Sequence, residues 1–241
     1  MQDIESALYY IIKKEAKAKS TYTDDEETAL KSLVSFIDEY MPMRPMVKKF
    51  FKKLNSLLTK MTNELNHEAY QAMVKRGDAG VGALLPNREH YVACAGSKPI
   101  YRGFPCSKWQ MWHLLLCQVY RGGKEGEGMK LLQTMRQYVI NFFTCEHCRN
   151  HFEQATRDFD TLKLSNEEAV IHLWVVDVNC WTHNWFLETP QRCQSSNCRW
   201  TNWWSYVSPC RLAKDQWMSK LLQRGRNIQH ERSAQVLDRV L

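Results

Sequence analysis

The chain has 241 residues, of which 44% are hydrophobic, and it carries a formal net charge of +7. That length accommodates one domain or two small ones, because domains commonly run to roughly 100–150 residues. No stretch reaches the roughly 18–20 uninterrupted apolar residues that span a bilayer, so we expect no membrane span. The basic residues are scattered as on ordinary solvated helix faces, and we therefore expect no nucleic-acid partner.

Nine cysteines divide the chain into two parts, because none of them lies in the first 93 residues. They are Cys94, Cys106, Cys117, Cys145, Cys148, Cys180, Cys193, Cys198 and Cys210. The amino-terminal segment Met1–Glu5 has neither a cationic start nor an apolar run, so we expect no signal peptide in this chain. If the protein is secreted, we expect this chain to be a fragment or a truncated form.

Three amphipathic stretches predict helices in the cysteine-free part. Apolar residues at helical spacing open the chain, and Thr23 with Glu26 forms a capping box that starts a second helix. Pro42 and Pro45 end that helix, and a third stretch with lysines on its polar face follows. The residues expected in the core are Ile4, Leu8, Ile11, Ile12, Ala29, Leu30, Leu33, Val34, Ile37, Val47, Phe50, Phe51, Leu54, Leu57 and Leu58.

The composition changes over Gly77–Gly103 to glycine, proline and polar residues without a period, which predicts a linker into a second domain. Helices are then expected to begin near Ser107, to cover about Met129–Phe143, and to begin again at Ser165. At this last start Glu168 completes another capping box. The second part is therefore also expected to be helical.

Strand signals are nearly absent, because the chain has no alternating Val/Ile/Thr run and no Asn-Gly hairpin. The sequence predicts an all-α protein. We divide it into a helix-rich region over residues 1–80, a helical domain over residues 81–190 and a tail over residues 191–241. We expect the tail to be partly disordered.

Cys145 and Cys148 are separated by two residues, a spacing that lets two thiols bridge within one turn at a helix start. Backbone N–H groups and the helix dipole stabilise a thiolate there, so such a pair is suited to opening and closing. The same spacing is also half of many zinc sites, which need a second thiol or imidazole pair. Cys193 and Cys198, which are available downstream, have four residues between them. The pattern alone leaves a redox disulfide and a zinc site both open.

The residues around this motif resemble the Erv/ALR sulfhydryl oxidase domain, in particular that of the quiescin-sulfhydryl oxidase family. The segment Phe142–Phe152 has paired aromatics before the CxxC and His-Phe after it, and Gly103–Trp109 is a second matching stretch. Upstream, Asp3–Ile11 and Arg44-Pro45 are similar to the region that joins this family's thioredoxin modules to its Erv domain. The resemblance covers about residues 1–174, and it implies an Erv/ALR-type helical bundle preceded by a related helix-rich region.

The resemblance also implies roles for individual residues. It makes Cys145 the interchange thiol that accepts reducing equivalents, and it makes Cys148 the thiol next to the flavin of FAD. It pairs Cys94 with Cys106 in a structural disulfide. Aromatic rings that stack and Arg or His donors fit such a cofactor. The positions that the resemblance places against FAD are Arg102, Trp109, His113, His151 and Trp174, and we expect no metal ligand.

Core packing is an alternative interpretation for several of these positions. Trp109, Trp112 and His113 line one side of a predicted helix, and without the resemblance each is interpreted as a core residue. His151 has a stronger position, since it lies one helical turn after Cys148 and on the same face. For Cys117, inside the apolar part of a helix, we expect a buried and inert thiol.

The sequence departs from the family pattern after Trp174. The family has a His-Asn pair where this chain has Asp177-Val178. The pair His183-Asn184 follows six positions later, which rotates a helical side chain by about 240°, so it does not replace the missing pair. We attribute the residues from about Val175 onward to an alternative exon, intron read-through or a frame change.

The resemblance implies a FAD-dependent sulfhydryl oxidase that forms disulfides in proteins and reduces oxygen to hydrogen peroxide. The predicted electron donor is a reduced protein thiol or a thioredoxin-like module, and the acceptor is molecular oxygen. Oxidising cysteine chemistry and the family indicate the secretory pathway, in the Golgi or ER, or secretion. Two alternatives stay open: a non-catalytic helical scaffold that has lost flavin, and a zinc-stabilised module that uses Cys145, Cys148 and two later cysteines.

Overall fold

The computed structural model describes residues 1–61, 64–78, 89–96 and 103–188, with side chains up to residue 177. The helices are α1 (Gln2–Tyr10), α2 (Asp24–Tyr40), α3 (Pro45–Lys60), α4 (His67–Asp78), α5 (Gly103–Gly122), α6 (Glu127–Phe142), α7 (Glu146–Ala155) and α8 (Asn166–Glu188). A π-helical turn, Ile11–Glu15, and a 3-10 turn, Ala16–Ala18, continue α1. The predicted all-α fold is confirmed, since the described residues contain no strand.

The capping box predicted for α2 is formed. The Thr23 hydroxyl accepts a 3.3 Å hydrogen bond from the Glu26 backbone N–H, and the Glu26 carboxylate accepts one of 2.9 Å from the Thr23 N–H. Ser165 and Glu168 exchange equivalent bonds of 3.1 and 3.2 Å at the start of α8. Each box satisfies two backbone N–H groups that a helix start otherwise leaves unpaired, so the local sequence defines where these helices begin.

Helix α4 lies where the sequence predicts no helix and partly where it predicts a linker. Its pattern is weak because only Tyr70, Val74 and Gly77 are buried. A Cβ atom at Gly77 would stand 2.7 Å from the Phe50 ring of α3. Glycine at this position therefore permits close packing of α3 and α4 rather than a turn.

Helix α5 begins at Gly103, earlier than the predicted start at Ser107. The φ angle of Gly103 is +42°, in the left-handed region that glycine tolerates. Its backbone N–H donates to the Cys94 carbonyl at 3.0 Å. The Asp3 carboxylate of α1 accepts from the N–H groups of Val92 and Ala93 at 2.5 and 2.9 Å, which fixes the segment that precedes α5.

The helices of both predicted regions share one core. α1 packs on α5, α2 packs on α3 and α6, and α8 contacts α5, α6 and α7. The predicted core residues are buried except Leu57, which is half-buried. These helices belong to one compact unit, Met1–Arg192. The predicted boundaries at residues 80 and 190 stay predictions.

The predicted tail over residues 191–241, which includes Cys193 and Cys198, lies outside the described residues. Within the described part of the chain, none of the helices combines the length and the apolar character that crossing a membrane requires.

Candidate redox site

Cys145 and Cys148 form a disulfide at the start of α7, with an S–S distance of 2.09 Å. Cys145 precedes the first residue of the helix, and the backbone N–H of Cys148 donates to its Sγ at 3.3 Å. The positive end of the helix dipole and the free N–H groups of the first turn stabilise a thiolate at this place. Cys145 is exposed and Cys148 is half-buried, so a dithiol arriving from solvent meets Cys145 first.

The segment that leads into this disulfide is held by three contacts. The Phe142 ring stacks on the Tyr138 ring with their centroids 4.8 Å apart. The Phe143 carbonyl accepts a hydrogen bond of 3.4 Å from Arg149, which lies just after the disulfide. The Lys108 ammonium lies 4.3 Å from the centroid of the Phe143 ring. The disulfide thus follows a backbone segment that is packed on one side and hydrogen-bonded across the turn.

Helix α5 carries two of the predicted cofactor-binding residues near α7, the redox helix that begins at the disulfide. The half-buried Trp109 ring lies 6.2 Å from the ring of Phe152, which stands one turn after Cys148 on α7. The Trp109 ring also lies 6.2 Å from the imidazole of His113, one turn further along α5. Trp109 therefore connects the disulfide-bearing helix with His113.

His113 pairs with Asp177 of α8 in the interior. Its Nε2 lies 3.0 Å from Asp177 Oδ2, and the two side chains are 6% and 9% exposed. The other carboxylate oxygen, Oδ1, is buried without a hydrogen-bond partner among the described residues. A buried acceptor of this kind is costly unless a donor meets it, and a bound ligand is one source of such a donor.

Asp177 is a site residue that sequence reasoning missed. The sequence shows it only as a departure from a family pattern, because its partner His113 lies 64 residues away. The single available signal is its place one turn after Trp174 on a predicted helix, and that spacing does not show which helix it faces.

The remaining predicted cofactor-binding residues are only partly placed. His151 on α7 and Trp174 on α8 are half-buried, and both make contacts. Arg102 lies outside the described residues. Trp112, for which core packing was the alternative interpretation, is 2% exposed and packs near Tyr138 with ring centroids 6.4 Å apart. The FAD-binding roles of all five positions, Arg102, Trp109, His113, His151 and Trp174, stay predictions.

Two further cysteine expectations have different outcomes. The predicted Cys94–Cys106 disulfide is confirmed, with an S–S distance of 2.13 Å. The expectation of an inert free thiol at Cys117 is wrong, because this residue is buried but disulfide-bonded. Burial in an apolar helix is visible in the sequence, whereas the approach of a second sulfur depends on the tertiary structure.

The other candidate sites to compare with the disulfide are metal-binding clusters and cavities. The described residues contain no group of three or more His, Cys, Asp or Glu side chains arranged to hold a metal ion. In the described part, a cavity of about 460 Å³ is lined by Ala18, Lys19, Ser20, Asn66, His67 and Glu68. None of the predicted site residues lines it, so we do not associate this cavity with the disulfide.

Comparison with known proteins identifies related chains. The family model for "Flavin adenine dinucleotide (FAD)-dependent sulfhydryl oxidase" matches residues 1–97, and that of the Erv1 / Alr family matches residues 106–205. Sulfhydryl oxidase 1 of Gallus gallus is 39% identical over 71% of this chain and 24% of its own length. Sulfhydryl oxidase 2 of Homo sapiens is 32% identical over 71% of this chain and 26% of its own length.

A solved structure, "Sulfhydryl Oxidase Fragment of Human QSOX1", superposes with a TM-score of 0.71 and 30% sequence identity. The match covers 76% of this chain and 75% of that fragment. The chain thus covers most of the solved fragment, but it spans only 24% of the length of the first curated relative.

Proposed function

Because the chain belongs to the quiescin sulfhydryl oxidase family, we propose that it is a FAD-dependent thiol oxidase that forms disulfides in proteins and reduces oxygen to hydrogen peroxide. The observation that carries this proposal is the Cys145–Cys148 disulfide at the start of α7. Cys145 is exposed and accessible to a dithiol, and Cys148 is half-buried on α7, whose Phe152 ring lies 6.2 Å from Trp109 of α5.

The residues near the disulfide fit FAD in their chemistry. The half-buried Trp109 offers a ring face for stacking on an aromatic ring system. The buried Oδ1 of Asp177 offers an acceptor to a hydroxyl, amino or imide donor, and all three occur in FAD. We propose that Trp109, His113, His151, Trp174 and Arg102 hold the cofactor. When bound, FAD supplies the capacity to accept two electrons from the dithiol and to reduce oxygen.

The cysteines perform the thiol exchange. A donor thiolate attacks Sγ of Cys145, which forms a mixed disulfide and releases Cys148 as a thiolate. A second donor thiol attacks the donor sulfur of that mixed disulfide and releases Cys145. Two donor thiols have then lost two electrons and two protons, and the Cys145–Cys148 disulfide has become a dithiol. The first-turn N–H groups of α7 stabilise the thiolate during this exchange.

Reduced protein thiols or a thioredoxin-like module are the proposed electron donors. The two disulfides with both partners described, Cys94–Cys106 and Cys145–Cys148, favour an oxidising compartment. We therefore propose the secretory pathway or the extracellular space as the place of action.

Oxygen consumption by cysteine variants tests the proposed activity. The chain loaded with FAD is expected to consume oxygen with dithiothreitol as donor, and Cys148→Ser is expected to retain bound FAD but lose this activity. The physical reason is that Cys145 alone has no second thiol with which to form a disulfide. The variant therefore cannot take two electrons from a dithiol and pass them to FAD. Cys145→Ser serves as a second loss-of-function variant.

Flavin content, measured after denaturation, separates loss of chemistry from loss of cofactor in these variants. A Cys148→Ser protein that consumes oxygen at the wild-type rate would overturn the assigned role of Cys148.

A further inference from the structure

A lysine and a glutamate form an ion pair in the interior of the protein. Lys108 Nζ of α5 lies 3.2 and 3.4 Å from the two carboxylate oxygens of Glu15, and the side chains are 6% and 1% exposed. Glu15 ends the π-helical turn that follows α1. The Tyr138 hydroxyl of α6 donates to the same carboxylate at 2.9 Å. Three helical segments from both parts of the chain therefore meet at one buried carboxylate.

The Lys108 ammonium is also surrounded by aromatic rings. It lies 5.0 Å from the Phe104 centroid, 5.0 Å from the Tyr138 centroid and 4.3 Å from the Phe143 centroid. Burial lowers the pKa of Lys108, and the Glu15 carboxylate opposes this effect. Burial of a charge is costly, and ordinary core packing of α5 does not require a lysine at this position.

The nearest ring, that of Phe143, connects the ion pair to the disulfide. Phe143 directly follows the last residue of α6 and precedes Cys145 by two positions. Its carbonyl accepts from Arg149 on the other side of the disulfide. A displacement of Phe143 is thus transmitted along the backbone to Cys145 and across the turn to α7.

We infer that Lys108 is a positioning residue of the redox turn, the segment from Phe143 to Arg149. Its ammonium is held by Glu15 and anchors the Phe143 ring. This contact keeps Cys145 and Cys148 in the geometry that closes the disulfide. Through Glu15 the helix-rich region stabilises the oxidised form of the thiol pair. The inference rests on the proposed redox role of these cysteines, but its test needs no flavin.

The direction of the effect follows from linkage. Contacts that are present when the two sulfurs are bonded, and that relax when the turn opens, stabilise the disulfide relative to the dithiol. Loss of a cation–π contact changes an equilibrium constant by about 2- to 30-fold, since such a contact contributes roughly 0.5–2 kcal/mol. Removal of the ammonium is therefore expected to make the disulfide easier to reduce.

The test is the equilibrium of the full chain with glutathione. Two glutathione thiols are oxidised to glutathione disulfide while the Cys145–Cys148 disulfide takes up two electrons and two protons. The reduced fraction is trapped by alkylation and measured on the peptide that contains both cysteines. Lys108→Met is expected to raise the equilibrium constant for reduction by about 2- to 30-fold. Lys108→Arg keeps the charge and is expected to retain the wild-type value.

Two further variants test the inference in case Lys108→Met alone does not fold. The double variant Lys108→Met/Glu15→Gln removes both charges, and the introduced amide oxygen can still accept from Tyr138. Replacing a buried pair as a whole is better tolerated than breaking it. Phe143→Leu keeps the ion pair and removes only the ring. Both are expected to raise the equilibrium constant. Lys13→Met is the control, because this lysine also has an ion pair and a ring contact, but with Asp78 and Phe50 in place of Glu15 and Phe143.

A purely structural role for Lys108 has a different signature. The thermal midpoint of Lys108→Met would then fall, while the equilibrium constants of Lys108→Met, the double variant and Phe143→Leu all stayed at the wild-type value. A wild-type equilibrium constant in either the double variant or Phe143→Leu would overturn the inference. Wild-type flavin binding and oxygen consumption in the same variants would leave the proposed function intact.

Discussion

Two tryptophans of α5 stand three residues apart and have different surroundings. Trp109 is half-buried and contacts Phe152 of the redox helix, whereas Trp112 is 2% exposed in the core near Tyr138. The same residue type in one helical stripe therefore has two environments. Only the structure separates them, because periodicity places both on the buried side of the helix.

Trp109→Leu is expected to weaken FAD binding by at least about fivefold, because the stacking of an aromatic side chain on a base contributes roughly 1–3 kcal/mol. Fluorescence titration of the flavin-free chain with FAD measures this change. Trp112→Phe is the matched control, since it is expected to lower the free energy of unfolding and leave FAD affinity unchanged. Equal affinities for wild type and Trp109→Leu would contradict the role of this ring.

The sequence predicted residues whose roles depend on spacing along the chain. Cys145 and Cys148 were found from their two-residue separation, and the bond that joins them is present. The Asp177–His113 pair and the Lys108–Glu15 pair were not predicted, because their members are 64 and 93 residues apart. Such contacts depend on how the helices pack, and neither periodicity nor local motifs carry that information.

At the scale of the helix, capping boxes define starts more reliably than apolar periodicity. The boxes at Thr23 and Ser165 open α2 and α8 where the sequence predicts them. Helix α4 was missed because few of its side chains are buried. The π-helical turn Ile11–Glu15 was also not predicted, since its apolar residues fit an ordinary helix equally well.

The capping box of α2 makes the stability of the folded protein depend on pH. Burial acts to raise the pKa of Glu26, but hydrogen bonds from Lys19 and Thr23 outweigh it, and the pKa lies below the ordinary value. A carboxylate with a lowered pKa stabilises the folded state above its unfolded pKa of about 4.3, and this contribution is lost as the pH falls through the folded pKa.

Glu26→Gln keeps an acceptor for the Thr23 N–H and removes the charge. We expect this variant to be less stable than wild type above about pH 5 and the difference to shrink as the pH falls below about 4. Urea unfolding followed by circular dichroism across this range measures it. A difference that is independent of pH would show that the charge of Glu26 contributes nothing to stability.

At the scale of the whole molecule, the helix-rich region and the downstream helices are connected by buried polar contacts as well as by the apolar core. The Asp3 carboxylate accepts from the backbone N–H of Ala93 in the segment before Cys94, and Glu15 pairs with Lys108 of α5. The two parts read as separate regions in the sequence because only one of them contains cysteines. In the structure they belong to the same compact unit.

The presence of FAD beside the thiol pair is the central claim, and the visible absorption of the purified chain tests it most directly. After incubation with FAD and removal of the free cofactor, we expect stoichiometric bound flavin that is bleached by dithiothreitol without oxygen and restored by air. A folded, colourless chain would contradict the claim. It would indicate a non-catalytic scaffold, or, with stoichiometric zinc, a zinc-stabilised module.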